Sequence, residues 1–174
     1  QFYINADNML GFQDKWRVGR SEYILGNGLI LGSCDYLQRP GTFTGAWFSR
    51  QIGGHDFELF VLDDYGPLQA VHAGIRYVGA TASLNFGETC GGWLKKLMPY
   101  YMAGTHDGNE VTSATNETED DQWIGIDAKG TLPAEIQWGG EWADRVVDGG
   151  KDRQAWRVTA TKKVALFSGV LDAF

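Results

Sequence analysis

Two carboxylates beside an aromatic side chain are the first candidates for chemistry in this chain. Glu135 and Glu141 flank Trp138 in a short segment that contains two glycines. A glycosidase needs two carboxylates about 5–10 Å apart across a sugar cleft, often next to aromatic rings. The pair is therefore a candidate acid and base for glycoside hydrolysis. A solvated strand end is the simpler interpretation of the same residues.

A second set of residues has side chains suited to a carbohydrate. His72, Gly74 and Arg76 are spaced by two and share one face of a strand. With Asn85 and Trp138 they resemble fragments of the galectin sugar site, in which His, Asn and Arg bind sugar hydroxyls and Trp stacks on galactose. Gly74 occupies the position at which that site has Asn. Because of this difference, the likeness assigns the chain to no family.

Other aromatic residues lie next to glycine or proline and are predicted to be exposed. Exposed Trp and Tyr suit a glycan face, and they suit a protein interface equally because they dominate binding hot spots. The predicted ligand-binding residues are Trp138, Trp142, His72, Arg76, Asn85, Tyr100 and Tyr101.

Hard oxygen donors in an acidic stretch are weak candidates for a calcium site. They are Asp107, Asn109, Asp120 and Asp121. No segment has the ligand spacing of an EF-hand, so a solvated run of charge is favoured and no metal is expected.

Motifs for a nucleophile elbow, a zinc protease or a phosphate-binding loop are missing from the sequence, so no cofactor is expected and an enzyme is less favoured than a non-catalytic protein.

The elements that must position these residues are strands, because the dominant period is two. In residues 80–86 and 156–161, apolar side chains alternate with polar ones. This pattern predicts a sheet with its apolar side on a core and its polar side in water. Residues 57–62 contain only one polar residue, Glu58, which predicts a strand covered on both faces.

Turn signals divide nine or ten strands. Gly26-Asn27-Gly28 predicts a hairpin turn, and Gly139-Gly140 a further turn. Helical spacing of apolar residues before Pro99 predicts a short helix at about 91–98, and 104–121 reads as a long acidic loop. The predicted fold is a single all-β domain, residues 1–174: a two-sheet antiparallel β-sandwich, jelly-roll-like, with one short helix and one long acidic loop.

Charge and hydropathy restrict the partners. The formal net charge of −7 repels phosphate backbones, so nucleic acid is not expected as a partner. No apolar run reaches 18 residues, so no transmembrane helix is expected. Strands facing lipid are also disfavoured, because counting back from Phe174 by twos places Asp172 in the lipid-facing row.

Several features favour an extracellular or particle-surface location. The chain starts at Gln1 rather than Met, which suggests processing, and Asn116 begins a glycosylation sequon. Cys34 and Cys90 are either a disulfide or two free thiols. The apolar ends are expected to pack in the sheet or on a neighbouring molecule.

The leading functional hypothesis is a non-catalytic structural subunit of a virion, tail or filament, which self-associates through sheet edges and aromatic patches. The first alternative is a secreted, lectin-like module that binds glycans. The second is a small β-sandwich or β-barrel enzyme acting on a glycan or an apolar small molecule.

Overall fold

A computed structural model describes residues 2–31, 42–64, 75–106, 121–146, 153–166 and 169–173. Strands account for most of these residues, and the all-β prediction is confirmed. The strands are β1 (Phe2–Asp7), β2 (Asp14–Glu22), β3 (Thr42–Ile52), β4 (His55–Asp64), β5 (Ile75–Asn85), β6 (Lys96–His106), β7 (Asp121–Leu132), β8 (Ile136–Val146), β9 (Arg153–Leu166) and β10 (Gly169–Ala173). A 3-10 turn, Pro133–Glu135, joins β7 to β8.

The strands form one antiparallel meander. Each pairs with its neighbour in the sequence, in the order β1 to β10, with β10 paired to β9. The structure therefore shows one sheet, where the sequence analysis expected two stacked sheets. Alternation along a strand shows that its two faces differ in polarity. It does not distinguish two stacked sheets from a single curved sheet, because both produce the same alternation.

The predicted short helix is wrong. Residues 87–92 form turns in which Gly87, Gly91 and Gly92 have positive φ angles, and β6 begins at Lys96. Pro99 lies inside β6, opposite Ile126 of β7. Two turns of helix are marginal alone, and pairing with two neighbouring strands outweighs the local helical spacing. No helix in the described ranges is long and apolar enough to cross a membrane.

Two further loop predictions have different outcomes. Gly139 and Gly140 lie inside β8, opposite Lys129 and Ala128, so the turn predicted there is wrong. The acidic loop predicted at 104–121 lies outside the described residues from 107 to 120. Its flanks extend β6 to His106 and start β7 at Asp121.

The sequence predicted a buried apolar face and an exposed polar face, and the structure shows the reverse for the residues named below. We call the face that carries Ser21, Glu58, Ser83, Asp127 and Glu141 the polar face, and all five are buried or half-buried. We call the other face, which carries Val18, Leu59, Val78, Ile124 and Trp156, the apolar face, and these five are exposed. The alternation was predicted correctly, but its orientation was not.

Individual strands show the reversal clearly. Ser83 is buried, although its polar set was expected in water, and Trp156 is 74% exposed, although it was expected in the core. Leu59 is 57% exposed, so the strand at 57–62 is covered on one face in the structure. Trp47, also expected in the core, is buried.

The polar face is covered by residues 23–31, which follow β2 and which we call the inner segment. Its buried side chains pack with residues of the sheet in one cluster of Tyr23, Leu25, Leu31, Phe43, Trp47, Phe60, Leu62, Met98, Tyr100, Met102 and Ala143. The turn predicted at Gly26-Asn27-Gly28 is present: the Leu25 amide donates to the Leu31 carbonyl at 2.9 Å. Its flanks do not continue as paired strands.

The sheet curves around the inner segment. Tyr23 packs against Trp47 of β3, with ring centroids 5.7 Å apart, while Arg157 of β9 donates a hydrogen bond to the Asn27 carbonyl at 3.1 Å. In a flat sheet, six strand spacings of about 4.8 Å would separate β3 and β9 by about 29 Å. The four Cα–Cα steps from Tyr23 to Asn27 span about 14 Å at most. Curvature brings the distant strands within reach of one short segment.

Candidate functional site

Glu141 anchors the inner segment to β8. Its carboxylate accepts hydrogen bonds from the Tyr100 hydroxyl at 2.9 Å, the Asn27 amide at 2.9 Å and the Leu29 amide at 3.2 Å. Gly26 is in the left-handed region, at φ +63, and a Cβ there would lie 2.8 Å from a Glu141 carboxylate oxygen. A turn with glycine at this position lets the backbone approach the buried carboxylate.

Asp127 lies directly opposite Glu141, on β7. Its side chain is 1% exposed, and neither carboxylate oxygen has a hydrogen-bond partner in the described part of the chain. The nearest cation is the Lys129 ammonium, 3.6 Å away. Like charges directly opposite each other on adjacent strands repel, and burial strengthens the effect.

Burial controls the protonation of these two groups. It raises the pKa of Asp127, against the opposing charges of Lys129 and Lys96. It also raises the pKa of Glu141, although the hydrogen bonds from Tyr100 and the two backbone amides favour the charged form. The pair can therefore hold a proton at a higher pH than solvated carboxylates do.

A second anchor holds the start of the inner segment. The Tyr23 hydroxyl donates to the Glu58 carboxylate of β4 at 2.6 Å. Burial raises the pKa of Glu58, while the hydrogen bond from Tyr23 and the charges of Arg17 and Lys96 lower it. The segment is thus fixed to both sides of the curved sheet by buried carboxylates.

A polar cavity of about 570 Å³ lies between the inner segment and the polar face. Its lining includes three lysines, Lys15, Lys96 and Lys129, and three carboxylates, Asp56, Glu58 and Asp127. Its size falls in the range of small-molecule sites, about 300–1,000 Å³. The walls of this cavity are charged, whereas the walls of small-molecule sites are usually apolar. A ligand here would therefore be polar.

The predicted carboxylate pair does not come together as a catalytic dyad. Glu141 is buried, whereas Glu135 is exposed in the 3-10 turn with a φ of +61. The carboxylate facing Glu141 is Asp127, which the sequence analysis did not select. Catalysis by Glu135 and Glu141 stays a prediction.

The predicted sugar-binding residues are divided between the two faces. Register places Arg76, Tyr101 and Trp142 on the apolar face, and Asn85 and Tyr100 on the polar face. Trp138, also on the apolar side, donates from its indole nitrogen to the Trp93 carbonyl at 2.7 Å. His72 lies outside the described residues.

Several of these side chains have structural partners. Arg76 forms an ion pair with Asp63 at 2.7 Å, and Tyr101 donates to Gln122 at 3.3 Å. Asn85 donates to the Gly54 carbonyl at 2.9 Å and to Asp56 at 3.0 Å.

Of the weak metal candidates, Asp107, Asn109 and Asp120 lie outside the described residues, as does the side chain of Asp121. Cys34 lies outside them as well.

Sequence reasoning missed the residues around which the site is built. Tyr23, Glu58, Asp127 and Lys129 were not selected as site residues, and Glu58 was noted only as the one polar residue of a strand expected to be covered on both faces. The available signal was the charge itself: Asp127 and Lys129 occupy alternate positions of one strand.

The apolar face forms a band bordered by polar residues. One cross-strand row consists of Val18, Ala46, Val61, Val78 and Ala103, and the next of Trp16, Phe48, Leu59, Ala80, Tyr101 and Ile124. The row beyond the first is polar, with Arg20, Thr44, Asp63, Arg76 and Thr105. An apolar groove of about 530 Å³ crosses the band beside Trp16, Phe48 and Leu59.

No protein-family model, no curated protein and no solved structure matches this chain.

Proposed function

We propose that this sheet is embedded in a lipid bilayer, with the apolar face against acyl chains and the polar face bordering an aqueous interior that admits polar solutes. The observation that carries the proposal is the reversed exposure of the sheet. Buried carboxylates line one face, while Trp156 and Val158 on the other are 74% and 69% exposed. A contiguous exposed apolar surface marks a contact with a partner or a membrane.

Strand dimensions support lipid as the occupant of the apolar face. A strand that crosses a membrane at a tilt needs about 9–11 residues. The central strands β3 to β8 have 10 to 12 residues, and outward apolar positions continue from one strand to the next. A protein partner of ordinary size would cover a patch, whereas this band runs across eight strands and ends at a polar row.

The objection raised by Asp172 is weakened by the register. Asp172 pairs with Lys163, and Lys163 belongs to the positions of β9 that alternate with Trp156 and Val158. Asp172 is therefore not in the same set of positions as Trp156 and Val158. Counting from Phe174 placed it in the other set only because that residue was assumed to face outward.

The proposal keeps the expectation of association through strand edges. In the described residues β1 pairs only with β2, and β10 only with β9. Unpaired backbone N–H and C=O groups in hydrocarbon cost several kcal/mol each. In lipid, the backbone groups of both edges must therefore be paired with another strand. The lectin-like alternative receives less support, because its candidate residues are divided between the two faces. The enzymatic alternative receives less support because Glu141 is buried while Glu135 is exposed in the 3-10 turn.

A charge placed in the middle of the apolar face tests the proposal. Leu59 is 57% exposed, so Leu59→Arg would change stability by about 0.5 kcal/mol or less if water covered this face. In lipid the same change is expected to cost about 2–4 kcal/mol. The measurement is the free energy of unfolding in urea after refolding into lipid vesicles.

Thr44→Arg is the matched control, because Thr44 is exposed on the same face but lies in the polar border row. It is expected to cost about 1 kcal/mol or less. Equal effects of the two substitutions, or a native fold in water without lipid or detergent, would contradict a lipid-facing sheet.

A further inference from the structure

Two lysines meet on the polar face at the wall of the cavity. Lys96 of β6 lies directly opposite Lys129 of β7, and both line the cavity. Cβ atoms of directly opposite residues are about 4.5–5.5 Å apart, so like charges there repel. An anion held against both ammonium groups would remove this repulsion.

Asp127 supplies a negatively charged group, a carboxylate, beside these two lysines. It lies two positions before Lys129 on β7, lines the cavity and is 1% exposed. Both of its oxygens lack hydrogen-bond donors in the described ranges, and the Lys129 contact of 3.6 Å is too long for a hydrogen bond. A buried carboxylate without donors is costly, so a ligand that donates a hydrogen bond would be stabilised here.

The other carboxylates of the cavity already have donors. Glu58 accepts from the Tyr23 hydroxyl at 2.6 Å. Asp56 accepts from Gln51 at 3.2 Å and from Asn85 at 3.0 Å. Asp127 is therefore the carboxylate of the cavity that is left for a ligand, and Lys96 and Lys129 are the two of its three lysines that face each other beside it.

We propose that Lys96, Lys129 and Asp127 form a binding site for a small organic anion that carries hydrogen-bond donors of its own. The anionic group of the ligand pairs with the two ammonium groups, and a hydroxyl or ammonium group of the ligand donates to Asp127. This site names the class of solute for the proposed function, and it rests on that function only in requiring an aqueous interior on the polar face.

Calorimetric titration of the full chain, folded in detergent micelles, tests the site. Gluconate supplies a carboxylate with hydroxyl donors, and glutamate supplies one with an ammonium donor. Acetate lacks the donors, and glucose lacks the charge. We expect gluconate, glutamate or both to bind at least tenfold more tightly than acetate and glucose. Which of the two binds distinguishes a hydroxy acid from an amino acid.

Two substitutions assign the binding to these residues. Lys96→Gln and Asp127→Asn are each expected to weaken binding at least tenfold, while Lys96→Arg retains it. The matched control is Lys95→Gln, because Lys95 pairs with Glu88 at 3.5 Å and does not line the cavity. Circular dichroism of each variant establishes that it is folded.

Three results would overturn the site: no binding of either probe, acetate binding as tightly as both, or equal affinity in Lys96→Gln and Lys95→Gln. Titration in micelles is independent of the lipid test on Leu59. Loss of the anion site with Leu59→Arg still destabilising would leave the membrane proposal intact, and the converse result would leave the anion site intact.

Discussion

Glu141 and Asp127 face each other on adjacent strands, yet among the described residues only Glu141 has hydrogen-bond donors. The difference assigns them different tasks. Glu141 holds the inner segment in place, because two of its three donors are backbone amides of that segment. Asp127 leaves its oxygens to the cavity.

Glu141→Gln should loosen the inner segment. Oε2 accepts from both backbone amides and Oε1 accepts from the Tyr100 hydroxyl, so the single, uncharged amide oxygen of Gln can serve only one of these two positions and the donor or donors at the other lose their acceptor. We expect a loss of about 1–3 kcal/mol in the free energy of unfolding. We also expect faster hydrogen exchange at the Asn27 and Leu29 amides.

Glu135→Gln is the control for this substitution, because Glu135 is exposed. It should change stability by less than about 0.5 kcal/mol. Equal protection of the two amides in wild type and Glu141→Gln would contradict a role for the charge of Glu141 in holding the segment.

Asp127→Asn should flatten the pH dependence of stability. Burial raises the pKa of Asp127 above its ordinary 3.8, so the folded protein binds more protons than the unfolded chain in mildly acidic solution. The free energy of unfolding therefore falls as the pH rises from 3.8 through the raised folded value. The variant lacks this contribution, although Glu58 and Glu141 keep theirs.

Urea unfolding across the acidic to neutral range measures the difference. Wild type should lose more stability than Asp127→Asn on going from acidic to neutral pH. A steeper fall in the variant than in wild type would mean that Asp127 is better stabilised as a charged group than its missing donors imply.

At the scale of elements, small residues on the polar face make room for rings. The Tyr100 ring of β6 lies over Gly125 of β7, directly opposite it, and a Cβ at Gly125 would overlap that ring. The ring position in turn aims the Tyr100 hydroxyl at Glu141. A glycine in mid-strand weakens local propensity, and the packing of the aromatic side chain compensates for it.

Gly125→Ala should therefore destabilise the protein by about 1–3 kcal/mol, because the added methyl displaces the Tyr100 ring. Gly140→Ala is the control, since a Cβ there would meet its nearest atom, in Trp138, at an ordinary 3.7 Å. Thermal unfolding of the two variants separates steric displacement from a general cost of replacing strand glycines, which would affect both equally.

At the scale of the whole molecule, the curved sheet buries its polar side around the inner segment and leaves its apolar side outward. The covered face also carries Phe60, Leu62 and Met102 of the buried cluster, so the departure from a sheet packed for water lies in the exposed apolar side chains of the other face. This arrangement is expected where the outer solvent is hydrocarbon and the interior contains water, ions or polar ligands.

Brominated lipids should quench tryptophan fluorescence from the apolar face. Trp156 is 74% exposed on that face, whereas Trp47 is buried on the other side. In brominated vesicles, Trp156→Phe should reduce the quenched fraction, while Trp47→Phe should leave it unchanged or raise it. Identical quenching of both variants would place the two tryptophans at equal distance from lipid.

The strands were predictable because alternation is a local property. Ser83 and Ala82 must point to opposite faces of β5 whatever surrounds them, and the turn at Gly26-Asn27-Gly28 follows from backbone freedom at glycine. The helix at 91–98 failed because pairing with β5 and β7 decides the conformation of Leu97 and Met98. The site could not be assembled from the sequence, since Glu141 meets Asn27 across 114 positions of chain.

The chain's own pattern established that it is all-β, with two chemically distinct faces on each strand. Only the tertiary structure decided which face is covered, because that depends on where the inner segment lies and on the curvature that brings β3 and β9 to it. The rule that apolar residues turn inward assumes water outside. Once the covered face carries Asp127 and Glu141, the same alternation points to a different surrounding solvent.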